Sequence, residues 1–241
     1  LRPRGGRSCC RTPSADARVD SVDRYGHDPG LRTSRLQSVE SHAIPDDGYD
    51  LDFERVLTRV EGRTLSFDAP LVQSMDAQLG GGLVWKAIDM RINRVGVSDL
   101  RVVSEYNDSM VVPGYAGVNG HPLGDYLFDE QHAWTAVSFD NVANAWGVRI
   151  TCVHLGFACV TVARGAKHLT VADSTSLEPV SLLTGGRRYP FLINGQLSLF
   201  VRCRSEWARH AFVTGSRVLG PNAFVDCTST YDQSDIGPHH R

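Results

Sequence analysis

From Tyr49 onward the chain is a train of short β-prone runs cut apart by Gly, Pro, Asn and Asp, and that punctuation limits what it can fold into. Typical runs are RTLSF ending at Phe67, VSDLRVVS from Val97, VRITCVHL from Val148 and LSLFVRC ending at Cys203. They are rich in Val, Leu, Phe and Thr, which suit a pleated, half-buried surface. No amphipathic helical pattern of ten or more residues stands between them. At most a short helical turn is expected at 49–60 or 74–78.

The runs repeat loosely. Aligning VRITCV, HLTVADS, SLFVRCRS and NAFVDCTS places Ile150, Leu169, Leu199 and Ala223 in one row, spaced 19, 30 and 24 residues apart. Leu100 lies 50 residues before Ile150, a gap that suits two turns. Periods of roughly 20–30 residues with one to three short strands each mark a solenoid. Asn-Gly hairpin signals at Asn119-Gly120 and Asn194-Gly195 do not sit cleanly between alternating runs, which argues against a sandwich or barrel. The expected fold is all-β, a right-handed parallel β-helix. Each coil would pair with the coils above and below at about 4.8 Å, and like side chains would stack inward. Cys152, Ala172, Cys203 and Cys227 are expected as one such inward ladder, small and apolar rather than disulfide-bonded. The long spacers 105–131 and 177–188 would then be insertions on one loop face.

Composition narrows the function classes. The chain has 241 residues, 25 Lys+Arg against 27 Asp+Glu, and a formal net charge of -2. A near-balanced surface does not suit nucleic acid or an anionic membrane as the main partner. No apolar run reaches the roughly 18 residues that a membrane span requires. Only Lys86 and Lys167 are lysines, so the basic charge is carried almost wholly by Arg. Six Cys occur, none in a CxxC pair, which weighs against a zinc ribbon or a thioredoxin-like site.

Residues 1–48 differ from the rest. Eight Arg fall in the first 35 positions, and Tyr25 is the one aromatic residue. By composition this is a disordered or atypical leader, or a mistranslated stretch, and the β-helix domain is expected over 49–241.

Four segments carry a resemblance. They are TGGRRYPF ending at Phe191, WARHAFVTG starting at Trp207, GPNAFVDC ending at Cys227, and SDIGPHHR from Ser234 to Arg241. Together with VEGRTLSFDAPL from Val60 and VGVSDL from Val95, they resemble bacterial proteins of the pectate-lyase-like right-handed β-helix superfamily. The resemblance implies a secreted or cell-surface, polysaccharide-active protein. The leading expectation is a lyase that cleaves a uronic-acid glycan by β-elimination. A non-catalytic carbohydrate-binding β-helix and a glycoside hydrolase are the alternatives. Members of that superfamily start earlier and run further than this chain, so a β-helix truncated at both ends is expected.

β-Elimination on a uronate needs a cation to neutralise the carboxylate, a base for the α-proton and an acid for the leaving oxygen. The densest matching group is Arg209, His210, His239, His240 and Arg241, with Arg187, Arg188 and Tyr189 nearby. His210 and His239 are 29 residues apart, about one coil with a loop. Arg can grip a carboxylate bidentately, and His can exchange a proton near neutral pH. The catalytic set is therefore His210, His239, His240, Arg209 and Tyr189. The substrate-binding set is Arg187, Arg188, Arg241 and Trp134, whose ring could stack on a pyranose. Ca²⁺ is a possible cofactor. Asp226 and Asp235 are the weak metal candidates, Asp173, Glu178 and Asp232 sit near coil ends as well, and a hydrolase would have to use Asp226 with Asp235. His154 reads as an outward or satisfied strand residue. Sequence alone leaves the oligomeric state open.

Overall fold

The computed structural model describes residues 9–11, 33–37, 51–79, 81–115 and 124–233. The chain divides into two compact units, one ending at Met90 and joined by 219–221, the other taking up Arg91–Val218 and the residues from Asn222 on. The boundary was expected at 48/49; the division between the two units lies at Met90/Arg91.

The first unit is a five-stranded antiparallel sheet. Its strands are β1 (Cys9–Arg11), β2 (Thr33–Gln37), β3 (Phe53–Glu61), β4 (Thr64–Phe67) and β5 (Leu83–Ala87), ordered β1-β4-β3-β2-β5. Two of them come from the segment expected to be a leader. The helical turn foreseen over 49–60 is instead mostly strand β3. The second lies close to where it was expected, as a 3₁₀ turn at Ala77–Leu79. Gly62, at φ +55°, makes the β3–β4 hairpin turn, a backbone state that side chains disfavour. Arg55 is fully buried and donates from Nη2 to the Pro70 carbonyl at 3.0 Å and from Nη1 to the Glu54 carbonyl at 2.9 Å.

The second unit is a parallel β-helix. Its strands are β6 (Ile92–Asn93), β7 (Gly96–Val103), β8 (Val111–Tyr115), β9 (Gly124–Leu127), β10 (Thr135–Phe139), β11 (Val142–Val153), β12 (Ala158–Val162), β13 (Lys167–Ala172), β14 (Thr175–Leu177), β15 (Phe191–Ile193), β16 (Leu199–Val201), β17 (Arg204–Glu206), β18 (Phe212–Thr214), β19 (Ala223–Val225) and β20 (Thr228–Thr230). β10, β12, β15 and β18 pair in parallel as one sheet, in that order. A nine-stranded parallel sheet takes two strands from each later coil, β13 with β14, β16 with β17, and β19 with β20, around the long β11. No helix among the described residues is long and apolar enough to cross a membrane.

Register explains the loose repeat. Leu199 faces Ala223, as the sequence row suggested, and Ile150 faces Leu100 directly. The Leu100–Ile150 gap is one coil rather than two, because β7 pairs directly with β11 and the antiparallel β8–β9 hairpin fills the difference. Leu169 faces Ala145, five residues from the Ile150 it was aligned with, and Leu199 faces Thr170, one residue past Leu169.

The core is a stack of like residues. Ile150, Leu169, Val171, Phe191, Ile193 and Phe200 are at most 1% exposed. Phe191 lies parallel to Phe212, with centroids 5.4 Å apart, and Phe200 meets Phe224 edge-on at 5.5 Å. Full burial of each such side chain is worth roughly 1.5–3 kcal/mol. The cysteine ladder is half right. Cys203 and Cys227 are free thiols in consecutive coils, and burial pushes the Cys203 thiol up to about 12. Cys152 leaves the ladder: it is disulfide-bonded to Cys159 across the core. In register it faces Ser176, not Ala172.

Corners are built from left-handed residues. Asp99, Arg149, Asp173, Arg202 and Asp226 occupy one corner on successive coils, with φ between +51° and +57°. Their charges alternate. Arg149 grips Asp99 at 2.5 and 2.7 Å, and Arg202 grips Asp173 at 2.6 and 2.8 Å. A second corner carries His154, Glu178, Trp207 and Tyr231, with φ from +48° to +64°. None of these nine residues is β-branched, the side-chain type that tolerates this region least.

Candidate functional site

Both long insertions leave the β-helix at the same corner. The first, 104–134, runs from β7 to β10, and the second, 178–190, runs from β14 to β15. The plain corners of the neighbouring coils need only 154–157 and 207–211. An extended loop face was expected there, and the insertions gather on it.

Arginines lock the two insertions together. Arg187 donates to Glu130 at 2.5 and 3.0 Å, and this hydrogen-bonded pair holds the Glu130 carboxyl below its ordinary range. Arg188 is 3% exposed. Its Nη2 donates to the Ser181 carbonyl at 2.6 Å and to the Leu127 carbonyl at 3.2 Å, and its Nε donates to Ser181 at 3.1 Å. Its guanidinium stands 5.4 Å from the centre of the Tyr126 ring, and burial pushes its pKa down to about 10. Two residues expected to bind substrate thus have their donors committed to the framework. Asp129 orders the first insertion by accepting the Asn107 and Gln131 backbone N–H groups at 2.7 and 2.8 Å, which holds its carboxyl low. His132 spans the insertions. Its Nε2 lies 2.8 Å from the Val180 carbonyl, which can only accept, so Nε2 carries the proton and Nδ1 faces the Ser104 hydroxyl at 2.8 Å.

Four rings form a column where the chain enters the four-stranded sheet. Trp134 stacks on Phe157 (centroids 6.2 Å), Phe157 tilts onto Tyr189 (5.8 Å), and Tyr189 tilts onto His210 (5.3 Å). Trp134 lies over Gly156, where an added Cβ would fall 2.4 Å from its ring. Arg209 sits beside this column, with Nη1 donating to the Tyr189 hydroxyl oxygen at 2.6 Å. The structure thus brings Trp134, Tyr189, Arg209 and His210 together. His239, His240, Arg241 and Asp235 lie outside the described residues. Asp226 is exposed and continues the corner column beyond Arg202. Asp173 is held by Arg202, and Glu178 pairs with His154. No group of three or more metal-ligating side chains gathers among the described residues.

Sequence reasoning missed a cleft of about 250 Å³ on the second corner column, lined by Tyr106, Tyr126, His154, Glu178, Arg188 and Trp207 together with Leu127, Pro179 and Val180. Within it His154 Nε2 lies 2.9 Å from Glu178 Oε2, and the Tyr106 ring meets the imidazole edge-on at 4.9 Å. The usable signal was spacing: 154, 178 and 207 repeat the 24- and 29-residue steps of 149, 173 and 202.

No family model and no curated protein matches the chain. Among solved structures it is similar to the tailspike protein gp49 from Pseudomonas phage LKA1, at 15% identity and a TM-score of 0.44. That likeness covers 83% of this chain and 30% of the tailspike chain, so this chain spans less than a third of that protein's length.

Proposed function

We propose that this chain is an extracellular polysaccharide-active β-helix protein that cleaves a uronic-acid glycan by β-elimination. The observation that carries the reading is the contact of Arg209 with the Tyr189 hydroxyl at 2.6 Å, with the His210 ring 5.3 Å from the Tyr189 ring. A cation, a phenol and an imidazole stand together beside two further rings. Arg209 grips the uronate carboxylate and stabilises the charge that grows as the α-proton leaves. His210 takes that proton. The electron pair of the broken C–H bond forms the C4=C5 double bond, and the C4–O bond breaks. Tyr189 accepts from Arg209 at its oxygen, which leaves its own proton for the departing glycosidic oxygen. The buried Cys152–Cys159 disulfide supports an oxidising, extracellular setting.

A second reading, glycan binding without cleavage, draws support from the ring column by itself. The test is a panel of uronic-acid polysaccharides incubated with the full chain. Ultraviolet absorbance from the new conjugated double bond supports elimination. Reducing ends without absorbance point to a hydrolase, and binding with neither leaves the non-catalytic reading.

A further inference from the structure

The column of His154, Glu178 and Trp207 has a different character from the rings around Arg209. The cleft is about 250 Å³, just under the roughly 300–1,000 Å³ of drug-sized sites, so one small ring fits and an extended chain does not. Its walls are aromatic and apolar: Tyr106, Tyr126, Leu127, Pro179, Val180 and Trp207. Its polar groups are few and converge. Glu178 turns Oε2 to His154, and the Glu178 side chain is 66% exposed. The one cation on the wall, Arg188, is buried with donors on two backbone carbonyls. The accessible charge in the cleft is therefore a carboxylate.

A ligand that suits such a wall carries neighbouring hydroxyl donors for the carboxylate and a C–H face for the indole. It cannot carry a carboxylate of its own without like-charge repulsion. We propose that this cleft binds a single neutral sugar ring, with Glu178 accepting its hydroxyls, His154 holding the carboxylate in place and Trp207 packing against its apolar face. Trp207 is buttressed from behind by Tyr231, stacked at 4.6 Å, so its plane is set before a ligand arrives. This site is separate from the Arg209 group and does not depend on elimination. A glycan of mixed composition would engage the two through different residues.

The experiment is saturation-transfer NMR on the full chain with methyl β-glucopyranoside, methyl β-galactopyranoside, glucuronate and methyl glucosaminide as probes, each at millimolar concentration. The expected result is transfer to at least one neutral pyranoside and none to glucuronate. Glu178→Gln should weaken neutral-sugar binding by about tenfold, since a charged acceptor is lost. Trp207→Ala should abolish it, with Trp207→Phe retaining part. Because Glu178 is exposed, the Gln variant stays folded and remains informative if the Trp207 variants do not. Glucuronate binding as strong as that of the neutral sugars overturns the proposal. So does neutral-sugar binding that Glu178→Gln leaves intact, preference for the cationic amino sugar alone, or no transfer to any probe. Absorbance from elimination plays no part in this readout, so failure here and failure of the lyase reading are told apart.

Discussion

Arg209 Nη1 lies 2.6 Å from the Tyr189 hydroxyl oxygen although the two residues are 20 positions apart, because each sits where its coil enters the four-stranded sheet. If Tyr189 protonates the leaving oxygen, Tyr189→Phe should lower kcat for elimination by about 10²-fold or more. Arg209→Lys keeps the charge but loses the fork, and should raise KM more than it lowers kcat. Steady-state absorbance kinetics on a uronate polymer check both, and an unchanged kcat in Tyr189→Phe would remove Tyr189 from the chemistry.

Arg188 and Arg187 are neighbours with unequal roles. Arg188→Met strands the Ser181 and Leu127 carbonyls in a buried setting and should cost about 3 kcal/mol. Arg187→Gln breaks a partly exposed pair and should cost about 1 kcal/mol. Urea denaturation of the two variants gives the ranking, and the reverse order would contradict the framework role of Arg188.

Acid should loosen the insertions before it melts the coils. Arg187 holds Glu130 below its ordinary value of 4.5. A carboxyl depressed on folding stabilises the fold fully above that ordinary value and loses the contribution as pH falls through the depressed one. The stability gap between wild type and Glu130→Gln should therefore be largest near neutral pH and shrink below about pH 4.5. Denaturation midpoints across the acid range check this, and a gap that widens toward low pH would give the opposite sign.

The Cys152–Cys159 disulfide closes a short loop, with a separation of 7 residues. Chain entropy for a loop of that size gives about 2.5 kcal/mol. The Cys152→Ala/Cys159→Ala double variant should lose at least that much, measured by denaturant titration without reductant. Intact mass before and after reduction confirms the bond in wild type.

Cys203 is buried with its thiol pushed up to about 12, so the reactive thiolate is scarce near neutral pH. Iodoacetamide at pH 8 should label Cys227 and leave Cys203 unmodified until denaturant is added. Peptide mapping by mass spectrometry separates the two, and equal native labelling would contradict the packing.

Strand content and solenoid architecture could be read from the chain because β-helix coils repeat side-chain type at fixed places. The pair Leu199–Ala223 followed from that repetition alone, whereas Leu100 and Ile150, read as two turns apart, are direct neighbours because a hairpin lengthens the coil between them. The antiparallel sheet of β1–β5 did not, since its runs within 53–87 have the same composition as coil strands and differ only in the partners they find. The disulfide was hidden for a related reason. Cys152 aligns by sequence with later cysteines, whereas its bond crosses the core to the next strand. Arg209, Tyr189 and His210 were legible as a cluster because they fall close together along the repeat. His154 and Glu178 were passed over singly, since a pair built across coils shows up only once the corner spacing is known.

The corner columns separate scaffold from display. Asp, Arg, His, Glu, Trp and Tyr all occupy the same left-handed backbone state there, one per coil, so the turn places few demands on which side chain it shows. Chemistry can be rewritten at such a position without disturbing the strands on either side. A vertical file of these positions therefore behaves as an alphabet with fixed line spacing, on which one coil's exchange of Trp for Glu edits what the surface reads while the page beneath stays the same.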